Sequence, residues 1–126
     1  MAVTCKIVHE ASKTTAVKIH TCNTYYQCIL RCSCLRVDGG DIANVTITMC
    51  RHESFNNKLK CIINGFTNGG MSFYTDNSNL YVYSSAAYFI VVVEVLSGRT
   101  MPLETISSFD TALYNRITIN ELYVQP

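Results

Sequence analysis

The sequence predicts an all-β protein, an antiparallel β-sandwich of jelly-roll-like type, and three observations predict it. Apolar residues alternate with polar ones instead of recurring every three to four positions, the period of a half-buried strand. Turn-forming pairs fall between the alternating runs: Asp38-Gly39-Gly40-Asp41, Asn64-Gly65, Asn68-Gly69-Gly70 and Asp76-Asn77-Ser78-Asn79. The runs are rich in Thr, Val, Ile and Tyr, which suit a pleated surface.

Taken in order, strands are expected over 3–8 and 14–21, where Val17 and Ile19 alternate with Lys18 and His20. The next spans 25–37. In it Cys28, Leu30, Cys32 and Cys34 make one apolar face opposite Gln27, Arg31 and Ser33. Over 42–51, Ala43, Val45, Ile47 and Met49 interleave with Asn44, Thr46 and Thr48, giving one dry face and one wet. Over 58–63, Leu59, Cys61 and Ile63 alternate with Lys58 and Lys60. Strands at 71–75, 79–84, 87–96 and 116–124 complete the set, and Pro102 follows the last long one. Strands this numerous between short turns indicate a sandwich or barrel. No helix beyond a turn or two, no repeat and no linker interrupts them. The chain reads as a single domain over residues 1–126, a common size for one.

The run 88–96 is apolar on both faces: Phe89, Val91, Val93 and Val95 on one, Tyr88, Ile90, Val92 and Leu96 on the other. One face meets the core. A subunit interface or a flanking segment of the same chain must cover the other, and the sequence leaves both open.

Composition excludes several functions. With 10 Lys and Arg against 9 Asp and Glu, net charge is +1, and the cations are scattered singly. Nucleic-acid binding needs a basic stripe to displace counterions, so none is expected. Charged residues at 15% are few, which suggests that copies of the chain cover part of its surface. The longest apolar run, Ala86 to Val93, is far short of the ~20 residues of a membrane helix, so no membrane insertion is expected. No apolar signal region follows Met1, which points to synthesis in a cytoplasm. Seven cysteines, an odd number, then read as reduced thiols.

Candidate chemistry is sparse. Zinc sites present paired ligands from tight knuckles. On one strand Cys28 and Cys34 lie about 20 Å apart, because each residue rises ~3.3 Å. Buried thiols packing as small hydrophobes are therefore preferred to zinc or a disulfide. Cys50-Arg51-His52-Glu53 holds a thiol, an imidazole and a carboxylate, and Cys50 and His52 can share a strand side. No oxyanion nest or elbow motif accompanies them, so a polar strand end is preferred to a nucleophile pair. Asp38, Asp41 and the Asp76–Asn79 cluster lack EF-hand spacing and read as turn chemistry. No nucleotide, metal or hydrolase motif is present, so neither cofactor nor catalysis is expected.

The C-terminal half carries Asn79-Leu80-Tyr81-Val82-Tyr83, then Val93-Glu94-Val95-Leu96-Ser97-Gly98, then Thr105-Ile106-Ser107-Ser108-Phe109-Asp110. With Val45-Thr46-Ile47-Thr48 after a Gly-rich turn, this texture resembles the C-terminal domains of bacteriophage tail fibres and related appendage proteins. The resemblance spans about two-thirds of the chain and transfers no site residue. It implies the distal sandwich of a homotrimeric fibre, adhering to a cell-surface glycan or protein from a virion tail or cell-surface fibre. In such tips loops carry recognition. The candidate loops are 51–57 and 65–76, each mixing aromatic with amide, acid or hydroxyl groups. Phe55, Asn56, Phe66, Asn68, Tyr74 and Asp76 are the expected ligand-binding residues. The alternative function is a small cytoplasmic viral effector that binds a host protein.

Overall fold

The computed structural model describes residues 2–9, 14–36, 40–68, 70–85 and 88–126. The first half supplies β1 (Ala2–His9), β2 (Thr15–Thr21), β3 (Tyr26–Arg36), β4 (Ile42–Arg51) and β5 (Leu59–Thr67). After these come β6 (Met71–Thr75), β7 (Asn79–Ser84) and β8 (Tyr88–Ser97). Three short strands end the chain: β9 (Glu104–Ile106), β10 (Asn115–Ile117) and β11 (Leu122–Val124). One sheet runs β1-β8-β3-β4-β5-β11 and the other β10-β6-β7-β2-β9, with every pair antiparallel. The two pack face to face as the expected all-β sandwich. Its jelly-roll-like part is the nesting of β1 with β8 over β2 with β7 in opposite sheets, while β3, β4 and β5 run as a meander. Among the described residues no helix is long and apolar enough to cross a membrane.

The alternation seen in sequence becomes burial. On β3, Cys28, Leu30, Cys32 and Cys34 lie in the core, and on β4 so do Ala43, Val45, Ile47 and Met49. Cross-strand register puts Cys28 beside Met49 and Met49 beside Cys61, one row of the inner face. All seven cysteines are free. Burial pushes the pKa of Cys22 up to about 11 and that of Cys28 to about 12, so both are neutral thiols. Among the described residues no cluster of three or more His, Cys, Asp or Glu is arranged to hold a metal ion. Asp38 and Gly39 lie outside the described residues. Asp41 does turn work, accepting from Arg36 Nη1 at 3.0 Å and from Gly70 N–H at 3.2 Å.

Three boundaries differ from expectation. Asn64-Gly65 is no turn, for β5 continues through it to Thr67 with Gly65 at φ +143°. The single strand expected over 116–124 is two, in different sheets, because Asn120 at φ 66° turns the chain between them. Glu104–Ile106 forms a strand that alternation over three residues cannot reveal. It pairs with β2, and Lys18 forms an ion pair with Glu104.

The outer face of the five-stranded sheet is covered from within the chain. Residues 107–114 cross it as a strap, and Phe109 sits among Tyr74, Tyr81, Tyr83 and Tyr114. Among the described residues no such segment covers the six-stranded sheet: Ile90 and Val92 of β8 are half-buried and Tyr88 is exposed.

One buried polar group gives a pH-dependence. A register shift between Lys18 and His20 leaves Ile19 and His20 both buried. Tyr26 Oη accepts from Arg99 N–H at 2.9 Å and lies within hydrogen-bond distance of His20 Nε2, at 2.7 Å. Desolvation by burial, helped by the Arg99 charge, lowers the His20 pKa below its ordinary 6.5. The unfolded chain then binds the proton more readily, so His20's stabilising contribution is intact above pH 6.5 and falls away as pH drops below it. Thermal melts should show Tm falling from pH 7.5 to pH 5, and His20→Gln should flatten that dependence. An equally steep fall in the variant would remove His20 from the account.

Candidate binding groove at one end of the six-stranded sheet

Three loops meet where β3 starts, β4 ends and β5 starts, and Arg51 ties them together. Its carbonyl accepts from Tyr25 N–H at 2.8 Å. Its Nε donates to the Asn57 carbonyl at 2.8 Å, and its Nη1 donates to the Asn77 carbonyl at 2.9 Å and Ser78 Oγ at 2.7 Å. These contacts hold strained backbone. Among the described residues six non-glycine positions have positive φ, and four of them are here: Tyr25 (67°), Asn56 (60°), Asn57 (58°) and Asn77 (81°). Asparagine tolerates that region; a bulky tyrosine does so only when its surroundings impose it, at about 1–3 kcal/mol.

The 3-10 turn Glu53–Phe55 forms one wall. His52 is its N-cap, with Nδ1 accepting from Ser54 N–H at 3.1 Å and lying 2.8 Å from Ser54 Oγ. Asn56 ends the turn in the left-handed conformation. The Tyr25 ring, 64% exposed, meets the His52 ring edge-on at 5.0 Å. Its hydroxyl donates to Glu53, which raises the Tyr25 pKa. Phe55 lies beyond His52, with Lys60 Nζ 4.1 Å from its ring centre.

Between these rings and β3–β4 opens a cleft of about 430 Å³, whose lining includes Tyr25, Gln27, Cys50, His52, Ser54 and Phe55. It shares Gln27 and Cys50 with a second cleft of about 220 Å³ that extends along the sheet past Ile29, Thr48 and Ser97. The two make one groove on the outer face of the sheet, within the size range of ligand sites. Its wall is aromatic, and its lining includes the Gln27 amide, the hydroxyls of Thr48 and Ser97, and Cys28 and Cys50.

The expected site residues divide among three places. Phe55 lines the groove and Asn56 stands at its edge. Asp76 is at the same end, but its carboxylate is fully engaged within its own turn. It accepts from Ser78 N–H, Asn79 N–H, Asn79 Nδ2 and Tyr81 Oη at 3.3, 2.8, 3.1 and 2.8 Å. Burial pushes its pKa up, and these hydrogen bonds outweigh burial and hold it below the ordinary value. Phe66 and Asn68 lie at the opposite end of the sandwich, where Asn68 Oδ1 accepts from Ile42 N–H at 2.6 Å. Tyr74 is buried under the Phe109 strap. Tyr25 and Gln27 line the groove too; Gln27 is on the polar face expected of its strand, and Asn23-Thr24-Tyr25-Tyr26, a polar pair running into two tyrosines, is the sequence signal for Tyr25.

Cys50 and His52 do share the groove, as strand geometry allows. His52 Nδ1 is occupied by the cap, however, which leaves it no free lone pair on that nitrogen for a nucleophile. The chain matches no protein-family model and no curated protein sequence.

Proposed function

We propose that this protein is a receptor-binding module whose groove holds a cell-surface saccharide, without catalysis, and that it acts as the tip of a homotrimeric fibre. In that reading it is made in a cytoplasm and displayed on a virion tail or cell-surface fibre. The observation that carries the binding role is the concentration of imposed positive-φ backbone around the exposed Tyr25 ring. Strain held in place by Arg51 keeps the wall preorganised, so little conformational freedom is lost on binding. An exposed aromatic face accepts sugar C–H groups, and Gln27, Thr48, Ser54 and Ser97 offer hydrogen bonds to hydroxyls.

Glycan-array screening followed by calorimetry tests this. Tyr25→Ala is expected to weaken saccharide binding at least about tenfold, the size of a central aromatic contact. Asn68→Ala, at the far end, is expected to leave affinity unchanged. Retained affinity in Tyr25→Ala together with loss in Asn68→Ala would move the site to the other end of the sandwich. An array without hits, with a host protein captured by a monomer, would favour the effector.

A further inference from the structure

Cross-strand register orders the outer face of the six-stranded sheet into rows. Ile7, Ile90, Leu35 and Ile42 form the first, on β1, β8, β3 and β4. Cys5, Val92, Ser33, Asn44 and Phe66 form the second. In the third, Val3 stands beside Glu94 and Arg31, whose Nη1 is 3.1 Å from Glu94 Oε1. The groove begins beyond. The first two rows thus carry no ionised side chain and are mainly apolar, with exposed Ser33 and Asn44 between Val92 and Phe66, and the candidate site takes the other half of the face.

We infer that the apolar half seats a second copy of this chain. The inference rests on the assembly of copies proposed above and names the surface that joins them. Ile7 is 68% exposed, Val3 59%, Phe66 58%, Ile42 46% and Leu35 43%. Those in the first two rows leave on the order of 400 Å² of surface in water, within the range that monomers carry. A standard interface uses about 800 Å² per partner, so this patch supplies about half of one.

Charge selects the occupant. The first two rows hold no ionised side chain, and the third holds a cation and an anion already paired with each other. Among the described residues of these rows a basic or acidic partner finds no unpaired charge to meet. Identical neutral faces, by contrast, meet without like-charge repulsion.

Edge-to-edge pairing is the competing way to join copies. Three of the four sheet edges are three-residue strands, β9, β10 and β11. The long edge, β1, carries Lys6 on the side opposite Ile7, registered with Val91, and an edge lysine opposes strand addition. Face packing around the first row leaves the groove at the far end open to ligand.

Cys5, an exposed thiol in the second row, reports the contact. Wild-type mass is measured by light scattering from about 1 to about 200 µM, since assembly follows mass action. Cys5 alkylation is followed on the same samples by peptide mass spectrometry, and saccharide binding by calorimetry. The expected result is a mass of two or three times 14.1 kDa at high concentration, with Cys5 alkylation slowed at least about tenfold relative to the dilute monomer. Ile7→Lys and Leu35→Lys should each give a folded monomer with fast Cys5 alkylation. A monomer throughout the range overturns the interface. So does an oligomer whose Cys5 reacts at the monomer rate, or one that survives both substitutions with unchanged mass. A dimer supports the interface and counts against the trimeric fibre tip. Loss of saccharide binding with assembly intact counts against the groove alone.

Discussion

Phe109→Ala is expected to destabilise the fold by about 3–5 kcal/mol, the range for removing a buried phenylalanine. Phe109 is 4% exposed although it belongs to no strand and to neither sheet. Its ring stacks on Tyr114 with centres 4.2 Å apart, and Tyr81, Tyr74 and Tyr83 lie at 5.3, 5.7 and 5.8 Å. Aromatic pairs of this geometry add about 0.5–1.5 kcal/mol each beyond the area they bury. The strap is otherwise fastened lightly. Phe109 N–H donates to the Thr14 carbonyl at 2.6 Å, and Asp110 caps the turn Thr111–Leu113 by accepting from Ala112 N–H at 3.0 Å. Removing the ring therefore uncovers Tyr74, Tyr81 and Tyr83 together, and the cavity cannot close by small shifts. Urea unfolding measures the loss. Phe109→Leu, which keeps an apolar plug, should cost clearly less. Equal stability of Phe109→Ala and wild type would mean that the strap does not cover the sheet in solution.

Strands with one face on the core were legible because a two-residue period is a local signal. β3, β4, β6 and β7 begin and end within a residue or two of where alternation and turn residues place them. The strap was not legible. Phe109 is a lone apolar residue between Ser108 and Asp110, and its burial depends on tyrosines that β6 and β7 bring up from 26 to 35 positions earlier. The site was half legible for a related reason. Loops 51–57 and 65–76 have the same mix of aromatic and amide residues, so sequence treats them alike. β5 carries Phe66 seven residues along the strand from Leu59, roughly 23 Å at ~3.3 Å per residue, away from the end where Phe55 sits. Tyr25 takes its conformation from the Arg51 carbonyl, a partner that only the folded sheet supplies.

Gly65 shows the same limit at a single residue, and it makes the second large prediction. After asparagine and between two alternating runs, it reads as a hairpin turn. The structure instead uses its missing side chain in mid-strand. Gly65 pairs with Val45 at φ +143°, and a Cβ there would stand 2.3 Å from the Asn44 carbonyl oxygen and 2.9 Å from Val45 Cα. Both are backbone atoms of β4, so no rotamer change relieves the contact. The peptide is also clasped from the other side. Gly65 N–H donates to Asn120 Oδ1 at 2.9 Å, and Asn120 Nδ2 donates to the Gly65 carbonyl at 3.2 Å. That clasp fixes the crossing between β10 and β11. Gly65→Ala is therefore expected to lose about 3 kcal/mol or more, since a strained backbone costs ~1–3 kcal/mol before the clash and the broken clasp are added. Gly40 is the control. It also has positive φ, +70°, but a Cβ there meets nothing within 4 Å, so Gly40→Ala should lose only ~1–2 kcal/mol. Urea titrations of the two variants beside wild type decide the matter. If both lose the same amount, close approach of β4 is not what holds glycine at position 65. A loss confined to Gly65→Ala, with β10–β11 amides exchanging faster, ties that approach to the closure of the C-terminal strands.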